Sequence, residues 1–592
     1  MPGEAQSGQP VRINLAQHDA EIEIDGESFS LRQFSSAAWR REQYPTVIQE
    51  AYRLYTQLDR IFTNFTYDGI PLLPLMQRHI TEAFVVSFSQ VVALQAFLST
   101  VQPVKVVAVN KQTANLTQLA AHYAQSNATI HQFASRSSHT PYRHIAESIA
   151  RNAIYIPRIH RLRAQKPFVP APSPDRPRLV FHPYYPNHLL SFLPLIEKLQ
   201  GNGRYDIWVS GADTNTLRLG DVDPTPLVAL GVPYIPFETA VSWPHLLRSM
   251  GRATRLSARM GWELREDRRW RSLPFDETVK SLVQMTMVDL LETRLPKILL
   301  YLDMAGALYQ TLRPHLVIVT DETLPILGRV ALRTAQQQRI PTLSLQHGLL
   351  LNDPMYFGSA VADCFAIWGA FSHDFLVTNG CPPQKLAQVG STRFHQLQPS
   401  LTALDLPTML GLPTQTQVIL FTSQPGGRDV SPSANLATFI ALLTAVSQLP
   451  DCHLLVKPHP AQTAAELDAW QQACQAAPVT ILRDLPLHPA MLGAAVNVTV
   501  FSTTGLEAIW LDRPLMTINL TDRPDLIPYA ASGAAVAAYS AEEVLPALRQ
   551  ALDPADQQSR APARRQFVER YLGVQDGRSL DRLVTLIEEM VS

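Results

Sequence analysis

The chain has 592 residues, enough for several domains with cores of their own. Hydrophobic residues make up 46% and charged residues 17%, a composition that excludes a disordered or fibrous chain. The formal net charge of −1 gives no case for nucleic acid, and the 4 cysteines (Cys364, Cys381, Cys452 and Cys474) stand in no metal or C-x-x-C spacing, so reduced thiols in the cytosol are expected.

The N-terminus has no signal-peptide core, and residues 1–30 are polar and read as loose at the very start. From Leu31 to about Val101 the pattern is helical, amphipathic over Ala37–Phe62 and apolar over Met76–Leu98. No run of ~18 apolar residues free of charge stands out. The nearest, Leu295–Leu312, carries Lys297 and Asp303 and reads as a core helix. Val104–Val109 reads as a strand, Leu116–Ala124 as a helix and Thr129–Phe133 as a strand. Leu316–Val319, Ile326–Gln337 and Thr342–Gln346 repeat that order, and each copy follows a long apolar helix, which fits a duplication or a shared αβ grammar.

A Pro-rich linker spans 165–178 and marks a boundary, after which a 170–592 fragment is expected to fold alone. Beyond it come a strand (Arg178–His182), a helix (Leu189–Gln200) and strands at Tyr205–Ser210 and Val232–Phe237, a doubly wound beginning. Residues 243–275 are helical and rich in arginine. They suit anionic lipid, an acidic acceptor or a solvated face, since Glu263, Glu266 and Asp267 are interleaved. A helix over Asp276–Leu312 and a strand over Val361–Trp368 complete this unit. Val389–Phe394 reads as a hinge into a second unit with strands at Val418–Thr422, Asp451–Val456, Val479–Leu482, Val496–Phe501 and Leu515–Ile518, closed by C-terminal helices.

The chemistry concentrates at strand ends. Lys457-Pro458-His459-Pro460 follows one strand, and Ser502-Thr503-Thr504-Gly505 follows another and opens a helix. In a parallel sheet both ends meet at one crevice, where a cation, a His, hydroxyls and free N–H groups suit a diphosphate. Taken singly, the first is an ordinary surface turn and the second a helix cap. His347, in Gln346-His347-Gly348, also ends a strand. Asp321 and Glu322 follow the Leu316 strand, placed either to take a proton from an acceptor hydroxyl or to cap a helix. Arg393, in Gly390-Ser391-Thr392-Arg393, suits a phosphate between the units, and His188, at a helix start, suits the acceptor side. Asp221-Val222-Asp223 has the form of a metal clasp but lies in a Pro-flanked loop away from the phosphate elements, and reads as a solvated turn.

Lys457–Pro460, Ser502–Ala508, Gln346–Gly348 and Gly390–Arg393 together resemble GT-B glycosyltransferases and their relatives. The nearest groups are the capsule-polysaccharide (Kdo-transferring) enzymes, the CDP-glycerol glycerophosphotransferases and the bacterial sialyltransferases. The resemblance covers about 175–590. It implies that His459, Ser502, Thr503 and Thr504 hold the donor phosphates, that Glu507 meets the ribose and that His347 stands near the reacting centre. The acidic pair followed by Gly that sialyltransferases use is absent; Asp321-Glu322-Thr323 alone comes near it.

The expected fold is α/β and GT-B-like: two Rossmann-type doubly wound domains, 175–392 on the acceptor side and 393–592 on the donor side, facing a cleft behind a helical/αβ region, 1–165. The expected function is metal-independent transfer of a sugar or polyol phosphate from a nucleotide-activated donor (CMP-, CDP- or UDP-linked) to a glycan or lipid-linked acceptor of a surface or capsular polysaccharide. No cofactor, metal or nucleic acid is expected, and the place is the cytoplasm, with peripheral contact at the inner membrane face. Two alternatives stand beside it: a nucleotide-sugar 2-epimerase of the same fold, and a non-catalytic scaffold in glycan assembly.

Overall fold

The computed structural model describes residues 11–15, 20–24, 26–132, 157, 160, 175–211, 223–239, 241–320, 326–350, 361–395, 401–424, 426, 430–474 and 477–592. The Asp221–Val222 pair and most of the Pro-rich linker lie outside them.

Strands occupy much of 11–30, while the very start, expected to be loose, lies outside the described residues. Strands β1 (Val11–Leu15), β2 (Ala20–Ile24) and β3 (Glu27–Ser30) form an antiparallel meander whose alternating Val11, Ile13, Ile22 and Ile24 face the core. The polar alternate residues hid this, because a half-buried strand needs only every second residue apolar. A small hairpin, β4 (Thr66–Tyr67) and β5 (Ile70–Pro71), separates the helices Ala37–Ile61 and Leu72–Val101. Strands β6 (Lys105–Ala108) and β7 (Thr129–Gln132) then extend the first sheet in parallel, in the order β3-β2-β1-β6-β7.

The Leu72–Val101 helix is long and apolar enough to cross a membrane by length and composition, which corrects the expectation that no such run exists. Its Met76, Ile80, Phe84, Leu94 and Phe97 are fully buried against neighbouring helices, which makes it a core helix here.

The two copies of the strand–helix–strand pattern pack on each other. The Lys111–Tyr123 helix lies against the Glu277–Leu312 helix, and the Ile326–Gln337 helix lies against Leu72–Val101. Both long helices end on a left-handed residue, Gln102 (φ 48°) and Arg313 (φ 49°), followed by Pro103 and Pro314. One hydrophobic core runs across both copies. Tyr67 donates to Asp303 at 2.6 Å, and Arg329 reaches Gln77 at 3.0 Å.

The first doubly wound sheet holds β8 (Arg178–His182), β9 (Asp206–Val209), β10 (Leu316–Thr320), β11 (Thr342–Leu345), β12 (Cys364–Ile367) and β13 (Leu386–Gln388). All pair in parallel, in the order β13-β12-β11-β10-β8-β9. The expected strand at Val232–Phe237 is reduced to one bridge, Val209 to Tyr234. Pro233 and Pro236 flank that residue and have no N–H for a ladder.

The second sheet holds β14 (Gln417–Thr422), β15 (Cys452–Lys457), β16 (Val479–Ile481), β17 (Val496–Thr499), β18 (Leu515–Ile518) and β19 (Val536–Ala538), also all parallel, in the order β16-β15-β14-β17-β18-β19. The fold is therefore GT-B-like, with two doubly wound sheets.

The units are tied at three places. The C-terminal helix Ser579–Val591 returns to the first sheet, where Leu580, Leu583, Val584 and Ile587 join the core of Phe181, Leu195 and Val209. Gly390 (φ 86°) lies so close to this helix that a Cβ there would sit 2.5 Å from the Ser579 Oγ, so the expected hinge is a crossing that only glycine permits. Leu349 and Trp368 of the first unit share a cluster with Phe394, Leu506, Ile509 and Tyr529 of the second. Full burial of a side chain such as Leu506 contributes about 1.5–3 kcal/mol. The N-terminal region reaches the second unit as well: Arg40 pairs with Asp522 at 2.7 Å, and Arg41 donates to the carbonyl of Asn519 at 2.7 Å.

Candidate active site

In an open parallel sheet, ligands settle outside the carboxyl ends of the strands where the strand order reverses. In the second sheet that point lies between β14 and β17. The apolar run of β14 ends in Thr422 and Ser423, both buried. The Thr422 Oγ1 lies 2.8 Å from the Oγ1 of Thr504, first residue of the Thr504–Trp510 helix. The Ser502 Oγ accepts from the Thr504 N–H at 3.3 Å, and the Ser502 carbonyl accepts from the Tyr529 hydroxyl at 2.9 Å. Gly505 packs so tightly on Tyr529 that a Cβ there would meet its ring at 2.8 Å. Thr503 is half-buried and makes no capping bond of its own.

His459 joins this crevice from β15. Its N–H donates to the Ser423 Oγ at 3.0 Å, and the Ser423 hydroxyl donates to Gln462 Oε1 at 2.7 Å. The ring Nδ1 accepts from the Ala461 N–H at 3.1 Å, which leaves Nε2 as the protonated nitrogen of the neutral ring. The residue is exposed, yet the surrounding chain takes enough water from its ring to lower its pKa. Lys457 ends β15 itself, and its side chain turns toward the β16 side. Its Nζ donates to the Arg483 carbonyl at 2.9 Å, and partial desolvation lowers its pKa.

Glu507 is 2% exposed and points inward, where its Oε2 meets the His488 Nε2 at 2.9 Å. Arg393 stands in the short Thr392–His395 helix, and its side chain is outside the described ones.

In the first sheet the order reverses between β8 and β10. Asp321 and Glu322 follow β10 and lie outside the described residues. His188, on the Pro186–Gly201 helix after β8, and His347, after β11, come together with ring centroids 4.6 Å apart. The His347 Nδ1 is 3.1 Å from the Ser191 Oγ, one helical turn beyond His188. His188 is 1% exposed, and its Nδ1 has no hydrogen-bond partner among the described residues. Burial, and then the neighbouring His347, push its pKa well below the ordinary histidine value, so this ring is neutral at physiological pH. Gln346 holds the strand end in place, accepting from the Trp368 N–H at 2.8 Å and donating to the Gly348 carbonyl at 2.9 Å. Leu349, two residues past His347, packs in the cluster of Leu506 and Ile509, which brings the His347 loop against the helix that Thr504 starts.

Sequence reasoning missed Thr422, Ser423, Gln462, His488 and Ser191. Three had a signal. The polar pair Thr422-Ser423 ends an apolar strand, and His488-Pro489 repeats the His-Pro of His459-Pro460 just ahead of β17. Ser191 had none, since its role depends on a strand met 156 positions later.

No protein-family model and no curated protein matches the sequence. Among solved structures, the chain is similar to S. aureus MnaA in a co-structure with UDP (TM-score 0.45, 12% identity, covering 70% of this chain and 96% of that one). It is also similar to a UDP-GlcNAc 2-epimerase from Neisseria meningitidis bound to UDP-GlcNAc (0.44, 13%, 70% and 100%). A third is a glycosyltransferase from Rickettsia africae (0.44, 11%, 71% and 99%). A likeness at this level carries no reaction with it.

Proposed function

We propose that this chain is a metal-independent transferase that moves a sugar, or a polyol phosphate, from a nucleotide-activated donor to a glycan or lipid-linked acceptor of a surface polysaccharide. The observation that carries the reading is that Thr504 meets Thr422 and His459 meets Ser423, with Ser502 at the same helix start, at the point where the second sheet reverses its order. The Nε2–H of His459 and the hydroxyls of Ser502, Thr503 and Thr504 bind the donor phosphates, with Lys457 and Arg393 supplying charge at the rim. Charge that develops on the leaving phosphate is stabilised by these fixed donors. Glu507, expected at the ribose, is buried against His488 and would reach it only through that ring.

At the facing edge, His347 takes the proton from the acceptor hydroxyl, assisted by Asp321 or Glu322. The acceptor oxygen forms its bond to the sugar carbon, or to the phosphorus of a polyol phosphate, as the bond to the nucleotide breaks and its electron pair leaves on the phosphate. Ser191 fixes the ring through Nδ1, and His188 beside it is neutral and adds no charge of its own.

The test is incubation with CMP-, CDP- and UDP-linked sugars in EDTA, with and without a glycan acceptor. Nucleotide release that depends on acceptor supports the transferase. Conversion of UDP-GlcNAc to an isomer without acceptor makes the chain an epimerase, and no binding of any nucleotide makes it a scaffold.

A further inference from the structure

The arginine-rich segment takes no part in the crevice. It is the Trp243–Arg265 helix, whose inner face of Leu246, Met250, Ala253, Met260 and Leu264 packs on the Glu277–Leu312 helix. At 3.6 residues per turn, Leu247, Arg248, Arg255, Arg259 and Trp262 fall within about a third of the circumference, opposite that core. All are exposed; Leu247 keeps 53% and Trp262 62% of its surface.

Carboxylates neutralise part of the charge. Arg252 pairs with Asp68 at 3.0 Å, Arg259 with Glu263 at 2.6 Å, Arg265 with Glu292 at 2.6 Å and Arg269 with Asp267 at 2.6 Å. Arg248 and Arg255 bond only to carbonyls of their own helix, Pro244 and Gly251, both at 3.2 Å. Among the described residues these two have no carboxylate partner, nor do exposed Arg268 and Arg271 in the turn that follows; Glu266 is the unpaired acid on this stretch.

An exposed Leu and an exposed Trp stand at the two ends of the arginine row, on the same face. Spaced about 22 Å apart along the axis, they have the layout of a helix lying in a lipid interface, with arginines at headgroup level and apolar side chains below. The geometry points to this face as a docking surface for an anionic lipid bilayer. A soluble acidic polymer would match the arginines but would leave Trp262 and Leu247 in water. The inference is independent of the nucleotide reading.

The experiment is flotation of the full chain with vesicles, either of phosphatidylcholine alone or of phosphatidylcholine with one part in three of phosphatidylglycerol. The parent chain is expected to float with the anionic vesicles at low salt, to be released at high salt, and to ignore the neutral ones. Each unpaired arginine adds roughly fivefold to partitioning, so R248E with R255E is expected to reduce it by about twenty-five-fold or more. Leu247→Ser with Trp262→Ser is expected to weaken vesicle binding while leaving retention on soluble heparin unchanged. These side chains are on the surface, so far-ultraviolet circular dichroism of each variant should match the parent. Absence of binding to the anionic vesicles, or equal binding to both kinds, overturns the proposal. So does an apolar variant that floats as well as the parent, which would make the face a polyanion site.

Discussion

The Oγ1 atoms of Thr422 and Thr504 lie 2.8 Å apart although 82 positions separate them. One ends the strand on which the second sheet turns back, and the other begins the helix after the next strand in space. The bond holds both loop ends at a fixed separation before any ligand arrives. Thr504→Val is expected to cost about 1 kcal/mol of stability, because the Thr422 hydroxyl keeps its bond to the Val498 carbonyl at 3.3 Å. Its effect on nucleotide affinity is expected to be larger than its effect on the unfolding midpoint. Denaturant melts and nucleotide titrations on the same preparation compare the two, and unchanged affinity would remove Thr504 from the phosphate site.

His347 is expected to act on turnover more than on binding. His347→Ala should reduce kcat by about 10²–10⁴-fold, with the affinity for a non-transferable nucleotide little changed. Ser191→Ala, which only loosens the ring, should reduce kcat less. Steady-state kinetics beside equilibrium titration read both. Equal loss in kcat and in nucleotide affinity would place His347 on the donor instead.

Stability is expected to fall in mild acid. His182 is fully buried, donates from Nδ1 to the Ser210 carbonyl at 2.8 Å and accepts from Tyr309 at 2.8 Å, and burial pushes its pKa down to about 4. His79 is likewise pushed down to about 4 by burial. In the unfolded chain such rings titrate near 6.5, so above that pH neither state is protonated and the stability is complete. As pH falls below it, the unfolded chain takes up protons first, and stability is lost down to about pH 4 at about 1.4 kcal/mol per pH unit for each ring. Thermal melts across this window should show the slope, and His182→Gln should flatten it. A parent melting temperature flat across the window would contradict the neutral buried rings.

Much of the fold was legible because buried parallel strands are short apolar runs and announce themselves in any order. The edges were not. β1–β3 alternate with polar residues, and the Pro-flanked Tyr234 segment carries strand-like side chains without the N–H groups to pair. The two His-Pro and Ser-Thr stretches were visible as strand-end breaks, while the pairing of His188 with His347 depends on which strands are neighbours. The repeated strand–helix–strand pattern was visible, but not that its two copies would share one core.

That shared core bears on truncation. A 170–592 fragment uncovers the faces of Glu277–Leu312 and Ile326–Gln337 that the N-terminal helices cover. The fragment is therefore expected to be insoluble or to bind a hydrophobic dye, despite the Pro-rich linker. A monomeric fragment with a cooperative melt would show that the N-terminal region is separable.

The central claim, a nucleotide held by His459 and the hydroxyls of Ser502, Thr503 and Thr504, is tested most directly by titrating CMP, CDP, UDP and GDP in EDTA into the parent and into His459→Ala. The parent is expected to bind at least one of them. A hydrogen bond to a charged group contributes about 1.5–3 kcal/mol, so His459→Ala should weaken that nucleotide by about ten- to a hundredfold, with its fold intact. If no nucleotide binds the parent, or if His459→Ala binds it equally well, the crevice at β14 and β17 is not a phosphate site and the transferase reading fails.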